Sequence, residues 1–151
     1  MRIGEVAYHA SVGVETVKFY EKQGLINQPP RPQSGGYRDY TRETVRRIRF
    51  IRSAQKLGFS LNEISELLDY QAGPKARCSD VRGRAEAKLM EVKLKINKLG
   101  RIRHALEELV LACDVDGPAK HCSIIESINA GDLHLDDADR GDCIDQRTAK
   151  D

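Results

Sequence analysis

Tryptophan is absent from this 151-residue chain, and Phe and Tyr together make up only 5% of it. A wide core built on large rings is therefore excluded. With 32% of residues charged, the composition suits helices that bury narrow apolar seams. No stretch approaches the roughly 18 consecutive apolar residues that a membrane-spanning helix needs. The opening Met1-Arg2-Ile3-Gly4-Glu5 lacks the apolar run of a secretory signal. Both absences predict a soluble, cytoplasmic protein with no membrane partner. Also missing are a Cys-x-x-Cys pair, a nucleophile–base constellation and a glycine-rich phosphate loop, so an enzyme is not expected.

What is present is unevenly distributed. The length fits one ordinary domain, or a small domain with an extension. Residues 1–58 carry a net charge of +6 and the remainder −4. A basic first third on an otherwise acidic chain is the pattern of a protein that meets a polyanion at one end.

Ile3, Val6 and Ala7 share one face of a short helix, which ends at Ala10-Ser11-Val12-Gly13, where Gly13 takes a positive φ cheaply. A second helix, Val14 to Gln23, follows and Gly24 stops it. Val14, Val17 and Tyr20 form its apolar stripe, leaving Thr16, Lys18 and Phe19 on the open side. Two short helices about a tight turn fit a helix-turn-helix, the second entering the major groove.

Pro29-Pro30-Arg31-Pro32 forbids helix, and Gly35-Gly36-Tyr37-Arg38-Asp39-Tyr40 predicts a small hairpin, or wing. Arg38 suits a phosphate, and Tyr37 and Tyr40 offer rings and hydroxyls; Tyr40 packing on the next helix is the alternative. Thr41 is positioned to cap a helix through Leu57, with Val45, Ile48, Ile51 and Leu57 inward and Arg42, Arg46, Arg47, Arg49 and Arg52 mostly outward. Ser60-Leu61-Asn62-Glu63 is a capping box opening a fourth helix.

Ile3-Gly4-Glu5-Val6-Ala7, Gly13 through Glu21, Gly24-Leu25, Tyr37-Arg38-Asp39-Tyr40 and Leu57 through Ile64 together resemble the MerR family of transcription regulators over residues 1–70. The resemblance implies a winged helix-turn-helix domain, with Thr16, Lys18, Phe19, Tyr20, Tyr37, Arg38 and Tyr40 toward operator DNA. Lys18 departs from the pattern, since many relatives place Arg before the Phe-Tyr pair. Lysine keeps the charge but loses the planar fork, which favours a phosphate contact over a bidentate one.

Beyond a linker at residues 71–78, residues 79–112 contain no Pro, and Ala85, Val92, Leu99 and Leu106 recur every seven residues. Leu89, Ile96 and Leu109 fill much of the companion row. A coiled-coil seam on a helix about 50 Å long finds no cover within this chain, so a second copy is the expected partner. Cys78 and Cys113 extend the first row by one heptad at either end. In one helix they lie roughly 52 Å apart, whereas in an antiparallel homodimer they meet across the pair. The fold class expected is thus mostly α: the winged domain, a long antiparallel dimerisation helix and a short metal-binding loop.

That loop, residues 113–129, turns at Asp114-Val115-Asp116-Gly117-Pro118 and returns to Cys122, where Ser123 can cap a short helix. Cys78, Cys113 and Cys122 together make a soft, all-sulfur ligand set suited to Hg(II), Pb(II), Cd(II) or Zn(II). Inert small hydrophobes are the alternative for each cysteine taken singly. The trio matches, in order and spacing, the ligand cysteines of mercury-responsive MerR regulators. Family zinc sensors typically carry two adjacent cysteines where this chain has Cys113-Asp114. Ser53 through Leu61 and Ala87-Lys88-Leu89 also resemble the mercury regulators, so Hg(II) is the effector expected. His121 is a further donor for Zn(II) or else a solvated loop residue.

Residues 130–151 read as a disordered acidic tail in which His134 and Cys143 are bystanders. The resemblance implies repression without metal, and activation of a resistance promoter by DNA distortion that lets RNA polymerase engage. A dimer with a purely structural zinc site is the rival from another class.

Overall fold

A computed structural model describes residues 1–113, 115–131, 133 and 135; His134, Cys143 and most of the expected acidic tail lie outside these. The chain divides into two compact units, Met1–Asp80 and a second beginning at Val81. Six α-helices are described: α1 (Ile3–Ala10), α2 (Val14–Lys22), α3 (Arg42–Lys56), α4 (Leu61–Ala72), α5 (Cys78–Ala112) and α6 (Ser123–Ala130). A 3-10 turn at Ala119–His121 precedes α6.

In the first unit α1 packs against α2 and α3, and α4 against α3. The helical stripes meet there, burying Val6, Val17, Tyr20, Ile48, Ile51 and Ile64 almost completely. Burial of this kind stabilises by about 1.5–3 kcal/mol per large side chain. The turn between α1 and α2 differs from expectation. Ser11, not Gly13, adopts the left-handed conformation (φ 55°), while Gly13 at φ −75° is the N-cap of α2. With Ser11 left-handed, the following Val12 N–H reaches back to the Ala7 carbonyl at 3.0 Å, while Ser11 itself donates to Tyr8 at 3.1 Å.

Three further expectations are corrected. No strand occurs among the described residues, so Gln33–Tyr40 is not a hairpin but a turn followed by extended chain. Three prolines just before it supply no N–H donors, and the Tyr40 N–H is given instead to the Met1 carbonyl at 2.8 Å. Thr41 is the N-cap of α3 without a side-chain bond. Leu57 follows the last residue of α3 and is exposed rather than inward, because Ala54 and Ile51 fill the buried positions. The capping box at α4 forms as read: Ser60 Oγ accepts from the Glu63 N–H at 3.2 Å, and Glu63 Oε1 accepts from the Ser60 N–H at 2.9 Å.

The 35-residue α5 has its apolar rows open. Ile96, Leu99 and Leu106 are 61%, 63% and 54% exposed, and Leu89 and Val110 are exposed with them. Among the described residues no helix is long and apolar enough to cross a membrane.

Candidate nucleic-acid interface and cysteine cluster

The second helix presents its open side as the periodicity requires. Lys18 and Phe19 are exposed and Thr16 is half-buried. Lys18 pairs with Glu15 at 2.9 Å, an exposed contact of little energetic weight. Facing α2 is a groove of about 270 Å³ lined by Lys18, Glu21, Gln28, Arg31, Tyr37, Arg38 and Tyr40. Arg38 is held by its own Nε, which donates to the Pro29 carbonyl at 2.8 Å. The Arg2 guanidinium lies 4.5 Å above the Tyr37 ring, a cation–π contact that steadies an otherwise exposed tyrosine.

Two of the residues expected to face DNA are buried in this structure. Tyr20 is 2% exposed, and its hydroxyl donates to Gln55 Oε1 at 2.8 Å. Tyr40 is 4% exposed, and its hydroxyl donates to Glu21 Oε1 at 2.7 Å. Burial, then the Glu21 hydrogen bond and charge, push the Tyr40 phenol up to about 12. Both rings hold α2 in place instead of offering a face.

Some residues of consequence escaped the sequence reading. Arg49 is exposed as expected and Arg47 is half-buried, and they donate to the carbonyls of His9 and Leu25. They satisfy acceptors beyond α2 and at the end of α1, where a cation is favoured. Glu21, Gln28 and Arg31 gave no signal, because the groove they line is closed by Tyr37, Arg38 and Tyr40, later in the chain.

The cysteines divide into two groups. Cys78 is the first residue of α5 and is exposed. Cys113 directly follows α5, and Cys122 is the N-cap of α6. Ser123, read as that cap, instead begins the helix and donates its hydroxyl to the Ala112 carbonyl at 3.2 Å. The Cys113 and Cys122 thiols are hydrogen-bonded to one another. Backbone N–H groups of Ile125, then Ile124, and the Cys113 thiol hold Cys122 below the ordinary thiol range. Desolvation and Glu126 oppose them. Helix N-terminal amides favour a thiolate, the form that ligates soft metals. Among the described residues no three metal-ligating side chains converge within one chain. His121 ends the 3-10 turn and is exposed.

The model described as MerR HTH family regulatory protein matches residues 1–71, and the one described as MerR, DNA binding matches residues 45–109. A mercuric resistance operon regulatory protein from Pseudomonas fluorescens is 41% identical over 131 residues, spanning 87% of this chain and 89% of that relative.

The chain belongs to the MerR family.

MerR-family proteins are DNA-binding transcription regulators rather than enzymes. The HTH-type transcriptional regulator ZntR of Escherichia coli is 37% identical over 132 residues, covering 86% of this chain and 93% of its own length. Among solved MerR-family structures, a lead(II) complex of a transcription regulator from Ralstonia metallidurans matches with TM-score 0.76 at 33% identity. A mercury(II) complex of MerR from Bacillus megaterium matches with TM-score 0.65 at 36% identity. Each alignment spans 85% of this chain and 98% of the other.

Proposed function

We propose that the protein is a homodimeric metal-responsive transcription switch. It binds a palindromic operator, represses without metal and activates a heavy-metal resistance promoter when Hg(II) binds. The observation that carries the metal reading is the Cys113–Cys122 thiol contact just after a helix that Cys78 begins.

The open apolar rows of α5 support pairing with a second, antiparallel copy. Cys78 of the partner subunit then joins Cys113 and Cys122, giving three sulfur donors and no hard oxygen. That set fits a soft ion, and the amides at the start of α6 already favour the Cys122 thiolate. Bound there, the ion supplies only coordination. Ligands divided between two chains have unequal affinity for different dimer geometries, the condition for shifting an equilibrium. The shift is transmitted through α5 to two DNA-binding units. Thr16, Lys18 and Phe19 face base edges and phosphates, while Tyr37 and Arg38 face the backbone. Distortion of the promoter then lets RNA polymerase engage.

Response to Pb(II), Cd(II) or Zn(II) by the same device is the second reading. It is favoured by the higher structural likeness to the lead(II) complex and by the identity to ZntR. A promoter-reporter assay with Hg, Cd, Pb and Zn salts side by side tests both. Hg(II) is expected to induce at the lowest concentration, and induction by none of the four would refute metal sensing. Chelation that unfolds the protein would point to a structural zinc dimer instead.

A further inference from the structure

Among the residues lining the groove beside α2, Glu21 alone is acidic, set with Lys18, Arg31 and Arg38. A carboxylate facing phosphates is repelled by them, so attraction to DNA does not account for its placement. Its hydrogen bonds can. Oε1 accepts from the Tyr40 hydroxyl at 2.7 Å, and Oε2 accepts from the Gln28 side-chain amide at 3.1 Å. Gln28 and Tyr40 bracket the segment that carries Arg31, Tyr37 and Arg38, so a single carboxylate on α2 grips both ends of it. The middle is held elsewhere, Tyr37 by its contact with Arg2. Gly35 and Gly36, at φ 76° and 130°, have nothing within 4 Å of where a Cβ would lie. Arg38 bonds back to Pro29, closing the segment on itself without tying it to α2.

We infer that Glu21 is a positioning residue for operator recognition, fixing the spacing between the base-facing side of α2 and the phosphate-facing Arg31, Tyr37 and Arg38. Its charge weakens attraction to any DNA, while its two hydrogen bonds sharpen the choice among sequences. The inference rests on the DNA-binding reading and deepens it. Glutamine at this position keeps an acceptor for Tyr40 and pairs with a flipped Gln28 amide, whereas alanine keeps neither.

The test uses the full-length protein with two probes: a duplex it selects from a randomised library, and a scrambled duplex of the same composition. Glu21→Gln and Glu21→Ala should both bind the scrambled duplex roughly threefold more tightly, the Coulomb value for unit charges about 7 Å apart in water. Only Glu21→Ala should lose selectivity, its selected-to-scrambled affinity ratio falling by about tenfold, comparable to one mismatched base pair. Gln28→Ala, a change at an exposed side chain, should lower the ratio in the same direction and serves if Glu21→Ala fails to fold. Unchanged selectivity in Glu21→Ala or Gln28→Ala would overturn the inference, as would an equal loss in Glu21→Gln. A wild-type protein that selects no duplex would overturn the DNA-binding reading itself.

Discussion

The hydroxyl of Tyr20 on α2 donates a 2.8 Å hydrogen bond to Gln55 on α3, with the tyrosine 2% exposed. The open side of α2, proposed to face DNA, is thereby fixed to the core of its unit from behind.

Tyr20→Phe keeps the ring and strands the Gln55 acceptor, so a loss of about 1–1.5 kcal/mol of stability is expected. Tyr20→Ala removes the ring as well and should cost about 3–5 kcal/mol. Urea unfolding of the two variants measures this difference directly. A Tyr20→Phe protein that is unchanged in stability but impaired in DNA binding would instead assign the hydroxyl to DNA.

Tyr40 should ionise late, near pH 12. Because its folded value is raised, its contribution to stability is complete below pH 10, the ordinary tyrosine value. It is lost as pH climbs from there through about 12. Ultraviolet difference titration should show a late phenolate step that Tyr40→Phe abolishes. A titration unaltered by that substitution would contradict the buried Tyr40–Glu21 bond.

Cys113→Ser should abolish metal-dependent induction while leaving DNA binding intact, because the thiol pairs with Cys122 in the second unit. Gel-shift and reporter assays on the same variant separate the two functions. Simultaneous loss of both would argue against a separate sensing site.

Mixing Cys78→Ser with Cys122→Ser subunits should restore one complete metal site per heterodimer, because the intact ligands then meet at one end. Equilibrium dialysis of the mixture reads the recovered stoichiometry. No recovery would rule out ligands shared across two chains.

Leu99→Asp places a charge in the middle of the exposed seam of α5. Sedimentation should show a shift to monomer, together with weaker binding to a two-fold symmetric duplex. A variant that stays dimeric would move the interface elsewhere.

The parts legible in the sequence were those with local causes. The capping box at Ser60 and Glu63 and the apolar stripes of α2 and α3 depend on residues three or four apart. What escaped depends on distance in the chain. Tyr20 was assigned both to the apolar stripe and to DNA, and only its contact with Gln55, 35 residues on, settles that it is buried. The two-glycine segment read as a hairpin gives its last N–H to the carbonyl of Met1, remote in sequence. Arg47 and Arg49 look like solvated charges until the carbonyls of Leu25 and His9 are seen beside them. At the cysteine cluster the spacing brought Cys113 and Cys122 together on paper. It could not show that Cys122, rather than Ser123, would occupy the N-cap of α6.

The uncovered rows of α5 carry one more implication. In the proposed dimer, side chains such as Ile96 and Leu99 leave water by association, so mass action governs how much of this helix is shielded. Copy number in the cell thereby becomes an input to the regulator in its own right, and thermal midpoints should climb as the protein is concentrated.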